Sequence, residues 1–231
     1  MVKPQHKPLA AYRVLSYICI GLLFTAFLLS LLVGISLPII KPIWLLKLQS
    51  IRPGQPATTV ATELRFGVWG ACANSVLNQP TFFHDQSDCF GPQLGYKVPL
   101  EIIALTGVST ALVEAILKGL FVLLVLHPVA AGLSLVTLLS SLFLASHTIS
   151  IISLILAIVT AIITTIVFAV DIAIVVIAKQ QVQKLNEFQF EVVWGSAPFL
   201  GLVAALLTWL AVIALSARAC YCFGVRRDGK F

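Results

Sequence analysis

The sequence predicts an all-α membrane protein: a bundle of four transmembrane helices with one long loop and one short loop on the same face. Three observations predict it. The 231-residue chain is 59% hydrophobic and 10% charged, whereas soluble chains carry about 25% charged residues. Its apolar residues gather in four runs, each long enough to cross a hydrocarbon core of about 30 Å as a helix. Its basic residues gather at the two termini, which accounts for the net charge of +6 without nucleic acid as a partner. Neither a low-complexity tract nor an internal repeat breaks the chain, so residues 1–231 read as a single domain.

The first run covers about 14–37 and meets Pro38, where a helix interior cannot easily continue. It follows Lys3, Lys7 and Arg13 as a signal peptide would, but it is too long for a signal-peptide core and lacks a small-residue cleavage site. It is read as a crossing. The other runs cover 119–145, 149–178 and 197–217. In lipid each must be helical, because no water is present to satisfy backbone groups. The third is too long for a bilayer: its thirty residues would span about 45 Å. It must tilt or project, and projection would let it brace the large loop.

Short flanks set orientation through their Lys and Arg content. Lys3, Lys7 and Arg13 precede the first crossing, and Arg218, Arg226, Arg227 and Lys230 follow the last. Both termini are therefore expected on the cytoplasmic side, with the turn near Ser146–Thr148. Outer loops are then 38–118 and 179–196. In the second, Lys179 and Lys184 are balanced by Glu187 and Glu191.

Cys72 and Cys89 fall in the long outer loop. The outer side of a plasma membrane is oxidising, so a disulfide between them is expected, with two unpaired thiols as the alternative. By the chain-entropy model such a bridge stabilises by roughly 3 kcal/mol. Cys19 reads as a small apolar filler of the first helix. Cys220 and Cys222 sit beside Arg218 just past the last crossing, a setting for palmitoylation. Pro42, Pro53, Gly54 and Pro56 exclude one long helix from the start of the loop. Thr58–Thr62 and Leu64–Trp69 have the composition of short strands. Leu100–Leu117 carries Leu100, Ile103, Ala104, Val108, Leu112 and Ile116 at helical spacing and leads into the second crossing.

Trp44, the run Gly67-Val68-Trp69-Gly70-Ala71-Cys72, and Cys89 together resemble the Trp, Gly-Leu-Trp, Cys, Cys pattern of claudin-like proteins. The resemblance implies a small extracellular claudin-like β-sheet in the first outer loop, pinned onto the helix tops by an aromatic pair and a disulfide. The chain is more closely similar to the fungal PalI group of the Sur/PalI family. Carrying this are Ser36-Leu37-Pro38-Ile39-Ile40-Lys41 at the end of the first helix, and Phe66-Gly67-Val68-Trp69-Gly70-Ala71-Cys72. Further on are Gly95-Tyr96, Leu126-His127-Pro128-Val129-Ala130-Ala131 opening the second helix, Val170-Asp171-Ile172, and Trp194-Gly195. The resemblance implies a plasma-membrane protein of the ambient-pH response, an accessory to a larger polytopic pH sensor. Relatives in the same family mark static membrane domains and affect cell-wall organisation, which is the alternative role.

No metal cluster, phosphate loop or nucleophile arrangement is visible. His6, His84, His127 and His147 are dispersed, so neither an enzyme nor a cofactor is expected. The spans hold too few polar residues for a water path, which disfavours a channel. Besides lipid and the sensor, a second copy of the chain is an open partner. Two residues stand out. Asp171 lies within a span, where a carboxylate is costly and often functional. Its position, about 37 Å along the third helix, sets it near the outer interface. There it could pair with Lys118 or cap the projecting section. His127 could bond a backbone carbonyl. A sharper arrangement pairs the two: an antiparallel hairpin of the second and third helices sets His127 near position 167, one turn from Asp171. Histidine titrates near neutrality, so such a pair would make helix packing depend on external pH. Closely spaced small residues, Ala157 with Ala161 and Gly201 with Ala205, suit helix contacts in lipid.

Overall fold

The computed structural model describes residues 10–37, 39–50, 63–74, 88–90, 110–142, 147–184 and 190–219. Its helices are α1 (Ala10–Gly34), α2 (Thr110–Leu142), α3 (His147–Lys184) and α4 (Ala197–Ala219). All four contain a stretch long and apolar enough to cross a membrane. Between α1 and α2 lie β1 (Leu46–Ser50), β2 (Glu63–Phe66), β3 (Ala71–Asn74) and β4 (Asp88–Phe90), and between α3 and α4 lies β5 (Phe190–Trp194). This is a claudin-like arrangement of four spans and one small sheet.

Every strand pairing is antiparallel, and the order is β4-β3-β2-β1-β5. The sheet therefore draws on both loops. β1 pairs with β2 through Leu46↔Phe66 and Leu48↔Leu64. On its other edge it pairs with β5 through Leu46↔Trp194 and Leu48↔Val192. The sequence showed strand composition at 64–69, and the structure ends β2 at Phe66 and turns through Gly67–Gly70. The turn is forced by packing, since the Gly67 backbone lies against Leu37. The expected strand at Thr58–Thr62 and the helical segment at 100–109 lie outside the described residues.

By contact the chain divides into two units. The sheet-bearing unit takes 31–128 and 167–201. Alternation builds its core. Leu46, Leu48, Leu64, Phe66 and Val192 lie on one face of the sheet, because successive strand residues point to opposite faces. They are buried with Val33, Ile174, Val175, Ala178, Val182 and Ala197. α3 therefore spends its extra length beneath the sheet. Its 38 residues extend about 57 Å, and the stretch from Ile174 to Val182 packs on strand side chains.

The second unit takes 1–30, 129–166 and 202–231. Its core joins Cys19, Leu23, Leu138, Ala157, Ala211 and Leu215. Of the small residues expected at helix contacts, Ala157 lies in this core and Ala161 is fully buried. Hydroxyls share the interior: Ser134, Thr137, Ser141, Ser150, Ser153, Thr160 and Thr164 are buried on α2 and α3. Thr137 and Thr160 hydrogen-bond each other at 2.8 Å. Most of the others donate to a carbonyl one turn back in their own helix, as Thr164 does to Thr160 at 3.0 Å. Such self-satisfied hydroxyls let helices meet closely in lipid and need no water. Large apolar side chains, among them Ile155, Ile162, Ile166, Leu206 and Ile213, face outward, as suits a lipid solvent.

α2 runs unbroken through Pro128, so the His-Pro run expected to open the second helix lies inside it. A proline is tolerated there because neighbouring groups in a membrane bundle re-satisfy the carbonyl it frees.

Two glycines fix the sheet on the helices. A Cβ at Gly67 would stand 2.9 Å from the Leu37 Cα, and one at Gly195 would stand 2.6 Å from the Leu45 carbonyl oxygen. Neither neighbour is a flexible side-chain tip. Gly67→Ala is predicted to destabilise the protein by about 1 to 3 kcal/mol through overpacking. Gly132→Ala, with open space around its Cβ, is predicted to leave stability unchanged or raised. Thermal unfolding in detergent or nanodiscs checks both.

Candidate functional site: an anchored sheet and a buried His–Asp pair

The end of α1 and the turn after β2 are laced together. A helix leaves its last carbonyls without intrahelical partners. At the end of α1, the Gly34 carbonyl accepts the Trp69 indole N–H. The Trp69 backbone N–H donates to the Leu37 carbonyl at 3.1 Å. The Val68 N–H donates to the Ser36 hydroxyl oxygen at 3.1 Å, and the Gly67 N–H closes the turn on Gly70 at 2.9 Å. Ser36 is fully buried, and sequence reading quoted it in a motif without giving it a role.

Trp44 works from the other edge. Its carbonyl accepts the Ala197 N–H at 3.1 Å, and the neighbouring Leu45 carbonyl accepts the Gly195 N–H at 3.0 Å. The first residue of α4 is thereby tied to the entry of β1. The Trp44 ring packs under the Arg65 guanidinium, 4.6 Å from centroid to Cζ. Its indole N–H is buried without an acceptor among the described residues, so Trp44 acts through its backbone and ring face.

Cys72 lies opposite Cys89 in the β3–β4 register, and the two form a disulfide. Cys72 also lies opposite Arg65, on the sheet face that carries Lys47 and Glu63. Glu63 bridges two cations there, accepting from Lys47 Nζ at 3.0 Å and from Arg65 at 3.1 Å. Burial pushes the Glu63 carboxyl up, but the hydrogen bonds and charges of Lys47 and Arg65 outweigh it and hold it below its ordinary 4.5.

The structure brings His127 and Asp171 together. His127 Nε2 stands 3.5 Å from Asp171 Oδ2, with side-chain exposures of 4% and 0%. That is ion-pair distance, longer than a hydrogen bond, and neither carboxylate oxygen has a hydrogen-bond partner among the described residues. Two glycines border the pair. The Cβ position of Gly34 lies 3.8 Å from His127 Cβ, and that of Gly201 lies 3.4 Å from Asp171 Oδ2. A methyl at either place would sit at ordinary van der Waals distance from the pair. The sequence allowed this pairing as one of several arrangements. It singled out Gly201 as a small residue for helix contacts without linking it to Asp171, and it missed Gly34, whose only signal is its place at a helix end. Cys19 is buried in α1. Cys220 and Cys222 lie outside the described residues, as do Gly95-Tyr96, His6 and His84. Among the described residues no group of His, Cys, Asp and Glu is placed to hold a metal ion.

A family model, the SUR7/PalI family, matches residues 12–222. The chain belongs to the SUR7/PalI family. The match takes in all five strands and nearly the whole of the four helices, so this SUR7/PalI chain carries the anchored sheet and the buried pair within the family's own boundaries. No curated protein matches it.

Glu63→Gln leaves Lys47 and Arg65 largely buried without a carboxylate, at a predicted cost of about 1 to 3 kcal/mol. The sign with pH follows from the lowered carboxyl. Because Glu63 holds its proton less tightly when folded, its contribution is fully present above pH 4.5 and is lost as pH falls through the folded-state value. Melting curves of wild type and Glu63→Gln should stay separated at pH 6 and converge as the medium is acidified below 4.5.

Proposed function

We propose that this SUR7/PalI protein is a non-enzymatic plasma-membrane accessory in the fungal ambient-pH response, assisting a larger polytopic pH sensor. Its termini lie in the cytoplasm and its sheet faces outside. The observation that carries the pH role is the His127–Asp171 pair. A histidine and a carboxylic acid, both almost fully enclosed, meet inside a membrane bundle next to a folded platform. Histidine changes charge in the range where ambient pH varies, and a charge change in so enclosed a place alters packing strongly.

Three further features support the reading. Membership of the SUR7/PalI family supports a membrane protein. The basic flanks, with Lys3, Lys7 and Arg13 before α1 and Arg226, Arg227 and Lys230 after α4, favour cytoplasmic termini. The sheet joins both loops into one platform, a surface suited to holding a partner's outer loops. Cys220 and Cys222, close after α4, are proposed acylation sites, and their joint replacement by Ser should abolish acyl-exchange labelling.

The test is capture of the sensor. The protein should co-purify with a seven-helix membrane protein, and its deletion should lower that partner's amount at the cell surface. His127→Gln and Asp171→Asn should each weaken alkaline-pH signalling. Normal signalling from both variants would remove the pH role. Stable immobile patches formed without any such partner would point instead to an organiser of membrane domains and cell-wall contact.

A further inference from the structure

We propose that the sheet reads the charge state of the His127–Asp171 pair, through Gly34 to Trp69 and through Gly201 to Trp44. Each route is short and lies within the sheet-bearing unit. The Cβ position of Gly34 lies 3.8 Å from His127 Cβ, and the carbonyl of that same glycine holds the Trp69 indole. The Cβ position of Gly201 lies 3.4 Å from Asp171 Oδ2, and Gly201 stands one turn along α4 from Ala197, whose N–H is held by the Trp44 carbonyl at 3.1 Å. The pair thus borders the two helix ends to which the sheet is tied.

The glycines leave no rotamer on the helix-end side of these contacts. A residue with a side chain absorbs a neighbour's displacement by changing rotamer. At Gly34 and Gly201 no side chain of the helix end lies between its backbone and the pair, so a shift of His127 or Asp171 bears on the helix end itself. The pair has reason to shift. Enclosed charges attract far more strongly than exposed ones, and an ion pair that loses one charge leaves the other buried and uncompensated. Packed interiors answer such changes by switching between arrangements rather than deforming smoothly.

Among the described residues, Lys179 on α3 and the Lys47–Glu63–Arg65 cluster of the sheet carry charge beyond the pair. Gly34 from α1 and Gly201 from α4 carry no charge. Lys179, two turns further along α3, is exposed. Lys47, Glu63 and Arg65 lie on the sheet face turned away from the core, where Glu63 stays ionised above 4.5. This coupling takes its biological meaning from the accessory role proposed above, but it is tested without the sensor.

The probe is tryptophan emission. The full chain is placed in nanodiscs with Trp194 and Trp209 replaced by Phe, which leaves Trp44 and Trp69 as reporters. Emission is followed from pH 5 to pH 8, a window in which Glu63 does not titrate. The expected result is a single sigmoidal shift of the emission maximum, lost in His127→Gln and in Asp171→Asn and kept in His84→Gln. A flat curve in the parent, or a shift that survives His127→Gln, overturns the proposal. Should the pair variants fail to fold, Gly201→Ala serves instead. Its Cβ would set a methyl in van der Waals contact with Asp171 Oδ2 at 3.4 Å, which changes the surroundings of the carboxylate, so a moved midpoint is expected and an unmoved midpoint overturns the proposal. A flat curve from a chain that still captures the sensor removes the coupling alone. Lost capture with an intact curve removes the accessory role alone.

Discussion

A helix that ends at a membrane boundary presents carbonyls with no partners of its own, and lipid supplies none. The structure answers this at the end of α1 with the turn after β2. The Gly34 carbonyl takes the Trp69 indole, the Leu37 carbonyl takes the Trp69 backbone N–H, and the Ser36 hydroxyl takes the Val68 N–H. The backbone can come this close because position 67 has no side chain. With the turn fixed, β2 and β3 have their register, Cys72 reaches Cys89, and the apolar side chains of β1 and β2 lie over α3. At the opposite edge, Gly195 allows the same kind of close approach and ties α4 to β1. The sheet is held on the helices by backbone contacts at two glycines, with the disulfide closing its far edge.

This construction gives the excess length of α3 a purpose. Ile174, Val175, Ala178 and Val182 form part of the floor under the sheet, and Asp171 stands one turn before them. The most enclosed carboxylate among the described residues is therefore set into the helix that supports the platform. The sheet carries its own electrostatic cluster on the other face, where Glu63 bridges Lys47 and Arg65. The core between the two faces keeps the acid-sensitive bridge apart from the enclosed pair.

The four spans were legible because lipid imposes length and apolarity, and both can be read directly from composition. The anchoring residues Trp44, Gly67, Trp69 and Cys72 were legible as a motif, since close approach and indole bonding demand those residue types. β5 was not. Phe190–Trp194 is short and follows charged residues, and only its pairing with β1 makes it a strand. The His127–Asp171 pairing was available from hairpin arithmetic alone, while competing partners for each residue kept it from being decided. The buried hydroxyls were underestimated. Ser150, Ala157, Thr164 and Asp171 repeat at seven-residue spacing on α3, as His127, Ser134 and Ser141 do on α2. Such a period marks one helix face, but hydroxyls and alanines do not stand out against an apolar background.

The central claim is that two loops far apart in sequence form one sheet fixed to the helix ends. Amide hydrogen exchange of the protein in nanodiscs tests it most directly. The account predicts slow exchange in 190–194, matching that of 46–49, together with protection of the Gly67, Trp69, Gly195 and Ala197 amides. Fast, loop-like exchange across 190–194 beside a protected β1–β2 pair would contradict it.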